Sequence, residues 1–206
     1  IAVDLTGFTS NSRFGIFIER CAPIQVNFLG YPATTGADCI DYIIGDKVII
    51  PKENQKDYSE KIIYLPNSFL VNDSTKKISK KKFSREEFGL PKEGFVFCCF
   101  NKYYKITPSI FGIWMKLLKK VEGSVLWLTE DNFEGAKNLQ KEANQRGVDS
   151  NRLIFARGMP LLADHLARHK AADLFIDTLP YNAHATASDA LWAGLPVLTR
   201  AGESFS

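Results

Sequence analysis

The feature that most constrains this chain is a regular alternation of short apolar segments with longer amphipathic segments after residue 95. The apolar segments are residues 95–100, 124–129, 152–156, 173–177 and 195–199. The amphipathic segments, with apolar side chains at helical spacing, are residues 107–121, 133–146, 160–169 and 184–193. Strands that alternate with helices form a parallel sheet covered on both faces, so this half is predicted to be a Rossmann-like α/β lobe.

The first third of the chain has a different pattern, with short strand-like segments and little room for helices between them. Residues 1–71 are therefore predicted to be the C-terminal part of a first α/β lobe. Residues 72–84 are polar and basic and are predicted to link the lobes, and residues 85–206 then form the second lobe. Because the chain starts and stops beside strand-like segments and lacks a first Met, we expect a fragment whose second lobe is truncated at its C terminus.

The charge of the chain argues against a nucleic-acid partner. It has 26 basic and 23 acidic residues, a net charge of +3. Six cations lie close together in the predicted linker: Lys76, Lys77, Lys80, Lys81, Lys82 and Arg85. Without these six, the remainder has a charge of −3, since 3 minus 6 is −3. The cluster is interpreted as a solvated linker, with a phosphate-facing or partner-docking role as the alternative.

Composition also restricts the class of protein. The longest apolar runs are shorter than a membrane span requires, and no signal segment precedes the first strand, so no membrane partner is expected. Four cysteines without a CxxC pair and only three histidines argue against a zinc site. The cysteines fit reduced thiols that fill the core, which indicates a cytoplasmic protein.

Polar residues follow three of the predicted strands, where ligands bind in parallel sheets. After the first of these strands come Asn101, Lys102 and Lys105. After the third come Arg157, His165 and Arg168. After the fourth come Thr178, Tyr181, Asn182, His184, Thr186 and Asp189. We expect these sets to meet in one cleft.

The residue types at these strand ends suit a phosphate ligand. Lys105 could hold a diphosphate, or could be an exposed loop lysine. His184, Ala185 and Thr186 begin a predicted helix, whose first N–H groups form an anion site. Asp189 could accept hydrogen bonds from ribose hydroxyls, although it could simply interact with the helix dipole, and His184 could be a cap or packing residue.

A second pair of candidates lies on the preceding helix. His165 and Arg168 are three residues apart and share a helix face, where they could flank a nucleotide base or be ordinary surface residues. The three tryptophans, Trp114, Trp127 and Trp192, lie in apolar stripes and are predicted to belong to the core.

Several long motifs resemble the O-GlcNAc transferases, the family 41 glycosyltransferases. They occur in order as APIQVNFLGYPATTG at residues 22–36, DYIIGD at 41–46, YSEK at 58–61, FNKYYKITP at 100–108 and LPYNAHATASDALWAGLPVL at 179–198. The resemblance implies a two-lobed GT-B enzyme that holds a nucleotide-sugar between the lobes. It implies inverting, metal-independent transfer of GlcNAc from UDP-GlcNAc to Ser or Thr hydroxyls of proteins.

The resemblance also assigns roles to single residues. Lys105 would contact the diphosphate and act as the catalytic cation. His184, Ala185 and Thr186 would hold the phosphates and Asp189 the ribose, while His165 and Arg168 would line the uridine pocket. Lys102 would stand at a donor-binding position, where animal members have Gln. The residues near the sugar and the acceptor peptide would be Gly30, Tyr31, Pro32 and Thr34, in a loop that otherwise reads as a plain turn.

Two other interpretations remain open at this point. One is a SPINDLY-like O-fucosyltransferase that uses GDP-fucose, although that branch tends to have a Thr-rich run and a Glu where this chain has His184 and Asp189. The other is a non-catalytic binding module. The resemblance further implies tetratricopeptide repeats N-terminal to the chain, and a catalytic base upstream of Ile1.

Overall fold

The computed structural model describes residues 1–202, which form two compact units that divide between Asp73 and Ser74. The boundary therefore lies inside the predicted linker of residues 72–84, and most of that segment belongs to the second unit. The last four residues of the predicted second lobe, 203–206, lie outside the described residues. Within the described part of the chain, no helix is both long and apolar enough to cross a membrane.

The first unit contains a four-stranded parallel sheet in the order β1-β2-β3-β4. Its strands are β1 (Ala2–Asp4), β2 (Gln25–Phe28), β3 (Tyr42–Gly45) and β4 (Lys61–Tyr64). The connections hold only the four-residue helix α1 (Gly15–Ile18) and a 3-10 helix (Lys52–Asp57). This agrees with the predicted short parallel strands with little helix between them.

Two fully buried polar side chains on β2 hold the loops of the first unit. Gln25 donates hydrogen bonds from Nε2 to the carbonyl oxygens of Phe17 and Cys39, at 2.8 and 2.7 Å. Asn27 donates from Nδ2 to the carbonyl of Tyr31 at 3.0 Å. Because buried amides are costly unless they are hydrogen-bonded, these contacts fix the loops to the sheet.

The second unit is a five-stranded parallel sheet in the order β7-β6-β5-β8-β9, with helices in the connections. The elements are β5 (Val96–Cys99), α2 (Pro108–Lys120), β6 (Val125–Thr129), α3 (Phe133–Gln145), β7 (Leu153–Ala156), α4 (Leu162–Arg168), β8 (Leu174–Ile176), α5 (Ala185–Trp192) and β9 (Val197–Leu198). The predicted Rossmann-like alternation is confirmed.

The strand order creates a crevice at one edge of this sheet. The chain runs from β5 through β6 to β7 on one side, then returns across β5 to place β8 on the other side. The carboxyl ends of β5 and β8 are neighbours at this reversal, which is where parallel sheets bind their ligands. The loops after these two strands carry Lys105 and His184.

The core of the second unit is apolar and includes two of the three tryptophans. Trp114 and Trp127 are 2% and 0% exposed, whereas Trp192 is 41% exposed, so the core prediction was wrong for Trp192. The thiols of Cys98 and Cys99 are free and fully buried, and burial raises the pKa of Cys99 to about 12. They are protonated core residues, as predicted.

The basic segment before β5 is anchored to the second unit at several points. Ser84 and Glu87 form reciprocal capping contacts, from Ser84 N to Glu87 Oε1 at 2.8 Å and from Glu87 N to Ser84 Oγ at 3.3 Å. They open only a single 3-10 turn, because Gly89 follows in the left-handed conformation with φ 70°. Arg85 pairs with Asp173 at 2.8 Å, so this cation is structural.

Candidate functional site

A buried carboxylate organises the loop that follows β8. Asp177 is 7% exposed, and its Oδ1 accepts hydrogen bonds from Thr178 N at 2.7 Å, Ala183 N at 2.9 Å and Asn101 Nδ2 at 3.0 Å. Its Oδ2 accepts from Asn182 Nδ2 at 3.1 Å and Thr199 Oγ1 at 2.7 Å. These five contacts join the ends of β5, β8 and β9 and fix the path of the chain into α5.

Lys105 is directed into this loop by two contacts. Its Nζ donates a hydrogen bond to the carbonyl of Asn182 at 2.9 Å and lies 3.8 Å from the centre of the Tyr181 ring. Burial lowers the pKa of Lys105, and the carboxylate of Asp177 opposes that effect. Lys105 is therefore a partly desolvated cation at the sheet reversal, and the alternative of an exposed loop lysine does not hold.

The first turn of α5 faces the same loop. His184 is the residue before the helix, and its ring lies 5.9 Å from that of Tyr181. Burial and the nearby Lys105 cation lower the pKa of His184, so its imidazole is neutral at pH 7. The first N–H groups of a helix have no intrahelical acceptor, and they add a partial positive charge beside Lys105.

The hydroxyl of Thr186 has a different partner from the one expected. It donates to Asn101 Oδ1 at 2.6 Å, and Asn101 in turn bonds Asp177 and Thr178. The hydroxyl proton of Thr186 thus links α5 to the end of β5. What Thr186 can offer a phosphate in this arrangement is its backbone N–H.

Asp189, one turn further along α5, forms a largely buried ion pair. Its Oδ1 lies 2.8 Å from Lys76 Nζ, and the two side chains are 16% and 21% exposed. The cation comes from the segment that was interpreted as a solvated linker, so that interpretation is wrong for Lys76.

His165, on the neighbouring helix α4, is a neutral histidine. Burial, the Arg168 cation and His169 lower its pKa to about 4, while Asp189 has the opposite effect. Its ring packs against His169, with the ring centres 5.0 Å apart. Asp189 and His165 are close enough to interact electrostatically, which brings α4 and α5 to one region.

The pKa of His165 predicts how stability depends on pH. An unfolded histidine takes up a proton near pH 6.5, but folded His165 does so only near pH 4. Between these values the unfolded chain binds more protons, so the free energy of unfolding falls as the pH drops from 6.5 to 4. We expect His165→Gln to make that fall shallower. Urea unfolding between pH 7.5 and 4.5 measures it, and parallel curves for both proteins would contradict the expectation.

Arg168 is buried rather than on the surface. It is 3% exposed, its Nη1 donates to the carbonyl of Arg157 at 2.7 Å, and its guanidinium lies 4.3 Å from the centre of the Phe100 ring. Next to it, beyond β7, is a cavity of about 310 Å³. Its lining includes Phe155, Gly158, Met159 and Arg168.

Lys102 is the predicted site residue that stands apart from the others in this unit. Its ammonium group forms an ion pair with Asp131, which follows β6, and its side chain is 61% exposed. The same carboxylate accepts a hydrogen bond from Tyr103 N at 3.4 Å. Lys102 therefore caps the loop after β5 instead of joining Lys105 in the crevice.

The loop predicted to lie near sugar and acceptor is in the first unit and is tightly built. Gly30 has no room for a side chain, because a Cβ there would lie 2.3 Å from the carbonyl oxygen of Leu5. The Cβ of Tyr31 in turn approaches the backbone of Gly7, which has φ 53°. Pro32 accepts a hydrogen bond at its carbonyl from Tyr58 Oη at 3.5 Å.

A buried carboxylate also fixes Thr34 in this loop. Thr34 Oγ1 donates to Glu60 Oε2 at 2.7 Å, and Thr35 N donates to Glu60 Oε1 at 2.6 Å. Burial alone would raise the pKa of Glu60, but the hydrogen bonds from Thr35 and Thr34 outweigh it and lower the pKa. The loop is thus a rigid, carboxylate-bound element rather than a plain turn.

Sequence reasoning missed three residues that shape these sites: Asp177, Lys76 and Glu60. Asp177 had a usable signal, since a carboxylate closes an otherwise apolar strand. Glu60 stood in the quoted YSEK motif without a role. Lys76 had no signal, because nothing in the sequence separates it from the other cations of its cluster. Among residues 1–202 no group of three His, Cys, Asp or Glu side chains could hold a metal ion.

The crevice thus holds the partly desolvated cation of Lys105, the N-terminal turn of α5 and the neutral imidazole of His184. This combination can bind a dianionic phosphate group and stabilise charge that develops on it.

Comparison with known proteins identifies the family and the fold of the chain. The model of glycosyl transferase family 41 matches residues 1–83 and 76–206. The chain is 38% identical, over 97% of its length, to the Arabidopsis thaliana protein named "Probable UDP-N-acetylglucosamine--peptide N-acetylglucosaminyltransferase SEC", of which it covers 21%. It is 32% identical, over 98% of its length, to a protein of Eustoma exaltatum subsp. russellianum with the same name ending in SPINDLY, of which it covers 22%.

A solved structure gives the same result for the fold. The O-GlcNAc transferase of Thermobaculum terrenum, in its K341M mutant, matches 98% of this chain with a TM-score of 0.84 and 30% identity, and the chain covers 38% of it. The chain thus spans about a fifth of the length of the curated relatives. The predicted GT-B class of α/β fold is confirmed by this likeness. From the family match over nearly its whole length, the chain belongs to glycosyl transferase family 41.

Proposed function

We propose that this chain is part of the catalytic region of an inverting glycosyltransferase that transfers GlcNAc from UDP-GlcNAc to Ser or Thr hydroxyls of proteins. The observation that carries the proposal is the convergence of Lys105, His184 and the first turn of α5 at the reversal point of the second sheet. Membership in family 41 and the names of the relatives support it.

The proposed reaction has one bond formed and one broken. The acceptor hydroxyl oxygen attacks the anomeric carbon from the side opposite the diphosphate and loses its proton. The bond between that carbon and the diphosphate oxygen breaks, and UDP leaves with the electron pair. Negative charge grows on the departing diphosphate, where Lys105 and the N–H groups of Ala185 and Thr186 would stabilise it.

No metal ion is needed in this proposal, because the protein supplies the positive charge. Lys105 is half-buried, and a cation in a partly desolvated site interacts more strongly with a diphosphate than one in water. The neutral His184 and His165 would contribute hydrogen bonds rather than charge.

The remaining predicted contacts stay proposals. Arg168 and the adjacent cavity, with His165, would accommodate the uracil base, and Asp189 would bind the ribose. Gly30, Tyr31, Pro32 and Thr34 would contact the sugar and the acceptor peptide. Lys102, given its ion pair with Asp131, would act on the donor only indirectly. For the complete protein we propose a cytoplasmic location and tetratricopeptide repeats before the catalytic region.

Nucleotide binding and sugar transfer by the complete protein test the proposal. We expect UDP to bind at least about tenfold more tightly than GDP in calorimetry, because a pocket built to hydrogen-bond one base rejects another. We also expect transfer of GlcNAc from UDP-GlcNAc to a Ser-containing or Thr-containing peptide, measured by mass spectrometry. The 206-residue chain alone should transfer no sugar.

The outcomes separate the competing interpretations. A preference for GDP, with transfer of fucose from GDP-fucose, would replace the proposal with the SPINDLY-like alternative. Binding of neither nucleotide by the complete protein would favour the non-catalytic module.

A further inference from the structure

Lys76 differs from the other lysines of its basic cluster. It forms an ion pair with Asp189 in which Nζ and Oδ1 lie 2.8 Å apart and both side chains are mostly buried. Lys77, Lys80 and Lys81 are exposed. An ion pair at the surface adds little to the stability of a protein, because its flexible side chains lose entropy when they pair. The Lys76–Asp189 pair differs because it is held mostly out of water.

The backbone around Lys76 is held in place on both sides. Trp192, at the surface, donates from its indole N–H to the carbonyl of Lys76 at 3.2 Å. Ser79 donates from its backbone N to the carbonyl of Ala163 at 3.0 Å. The segment therefore lies across α5 and α4. These two hydrogen bonds position the backbone so that the Lys76 side chain reaches Asp189.

The ion pair leaves hydrogen-bonding capacity unused. Within residues 1–202, Asp189 Oδ2 accepts no hydrogen bond, and two of the three N–H groups of the Lys76 ammonium have no acceptor. Asp189 also lies close enough to His165 to act on its pKa, and it is three residues from Thr186 on α5. The unused groups are thus beside the candidate nucleotide site.

A free carboxylate oxygen next to free ammonium N–H groups matches the chemistry of a vicinal diol. Each hydroxyl of a diol is both a donor and an acceptor, so one can donate to Oδ2 while its oxygen, or that of its neighbour, accepts from Nζ. Hydrogen bonds to charged groups are the stronger kind, and this site is already partly desolvated.

We infer that Lys76 is a ribose-binding residue, and that with Asp189 it holds the 2′ and 3′ hydroxyls of the nucleotide. The inference rests on the proposed function, because it names a further contact for the same nucleotide. It adds a residue to the recognition of the ribose: Lys76, from the segment that precedes β5, acts together with Asp189 on α5.

The test compares UDP with 2′-deoxy-UDP and 3′-deoxy-UDP in the complete protein. We expect Lys76→Met to weaken UDP binding about tenfold, whereas Lys77→Met, the matched change in the exposed neighbour, leaves it unchanged. We expect the native protein to bind at least one deoxy nucleotide about tenfold more weakly than UDP, and this discrimination to shrink in Lys76→Met. Calorimetry gives the dissociation constants.

The loss of discrimination is the decisive result, since a merely structural role for Lys76 would weaken all three nucleotides equally. Equal weakening, or unchanged UDP binding by Lys76→Met, overturns the inference while the proposed function stands. Failure of the native protein to bind UDP overturns the proposed function itself. If Lys76→Met lowers the melting temperature, Lys76→Arg provides the second variant, and ribose discrimination must persist in it, because the cationic donors are retained.

Discussion

We expect Lys105→Met to lower kcat for GlcNAc transfer more than about 100-fold in the complete protein. The charge on the diphosphate grows as the glycosidic bond breaks, so the loss falls on the transition state more than on the bound substrate. Methionine keeps most of the length of the side chain, but it removes the cation, which lies 3.8 Å from the centre of the Tyr181 ring. Steady-state rates with UDP-GlcNAc and an acceptor peptide measure the effect.

The control for this variant is Lys116→Met. Lys116 is an exposed lysine on α2 of the same unit, so its loss changes the net charge equally without touching the crevice. We expect its turnover to stay within about twofold of the native value. A Lys105→Met enzyme with near-normal kcat would refute the role of Lys105 in leaving-group stabilisation.

Asp177→Ala has the largest expected effect on stability. The change removes the acceptor of five hydrogen bonds, among them those from the backbone N–H groups of Thr178 and Ala183. An unsatisfied buried donor costs about 1–3 kcal/mol, so even with partial rearrangement we expect the free energy of unfolding to fall by about 3 kcal/mol or more. Urea unfolding of this chain, followed by tryptophan emission, measures the change.

Two further variants test the cause. Glu122→Ala removes an exposed carboxylate from the same unit and should change the free energy of unfolding by less than about 0.5 kcal/mol. Asp177→Asn keeps the shape of the side chain and one acceptor oxygen. Its loss of unfolding free energy should therefore lie between those of Asp177→Ala and Glu122→Ala. A loss for Asp177→Ala no larger than that for Glu122→Ala would show that the loop does not depend on the carboxylate.

The order and type of the second unit's elements could be read from the sequence. Apolar periodicity is a local property, and the alternation of strand and helix leaves a parallel sheet as the main solution. The ends of elements were less certain. The helix expected over residues 160–169 is shorter, Leu162–Arg168.

The residues of the candidate site were predictable where a sequence motif falls at the carboxyl end of a predicted strand. Lys105 and His184 were placed near each other by the rule that ligands bind at the carboxyl ends of parallel strands, and the structure brings them to one loop. Which hydrogen-bond or ion-pair partner each side chain takes was not predictable from the sequence. Nothing local says that the hydroxyl of Thr186 donates to Asn101, or that Lys102 pairs with Asp131.

Sequence alone determined the class of fold, the family and the residue types at the ends of the strands, because these depend on patterns within short segments. The tertiary structure decided which of many similar charges matters. Six cations lie within ten positions of residue 76, yet only burial against α5 separates Lys76 from Lys77. The free energy of a charged or polar group depends on its neighbours and its exposure to water, and those are set by residues far away in the chain.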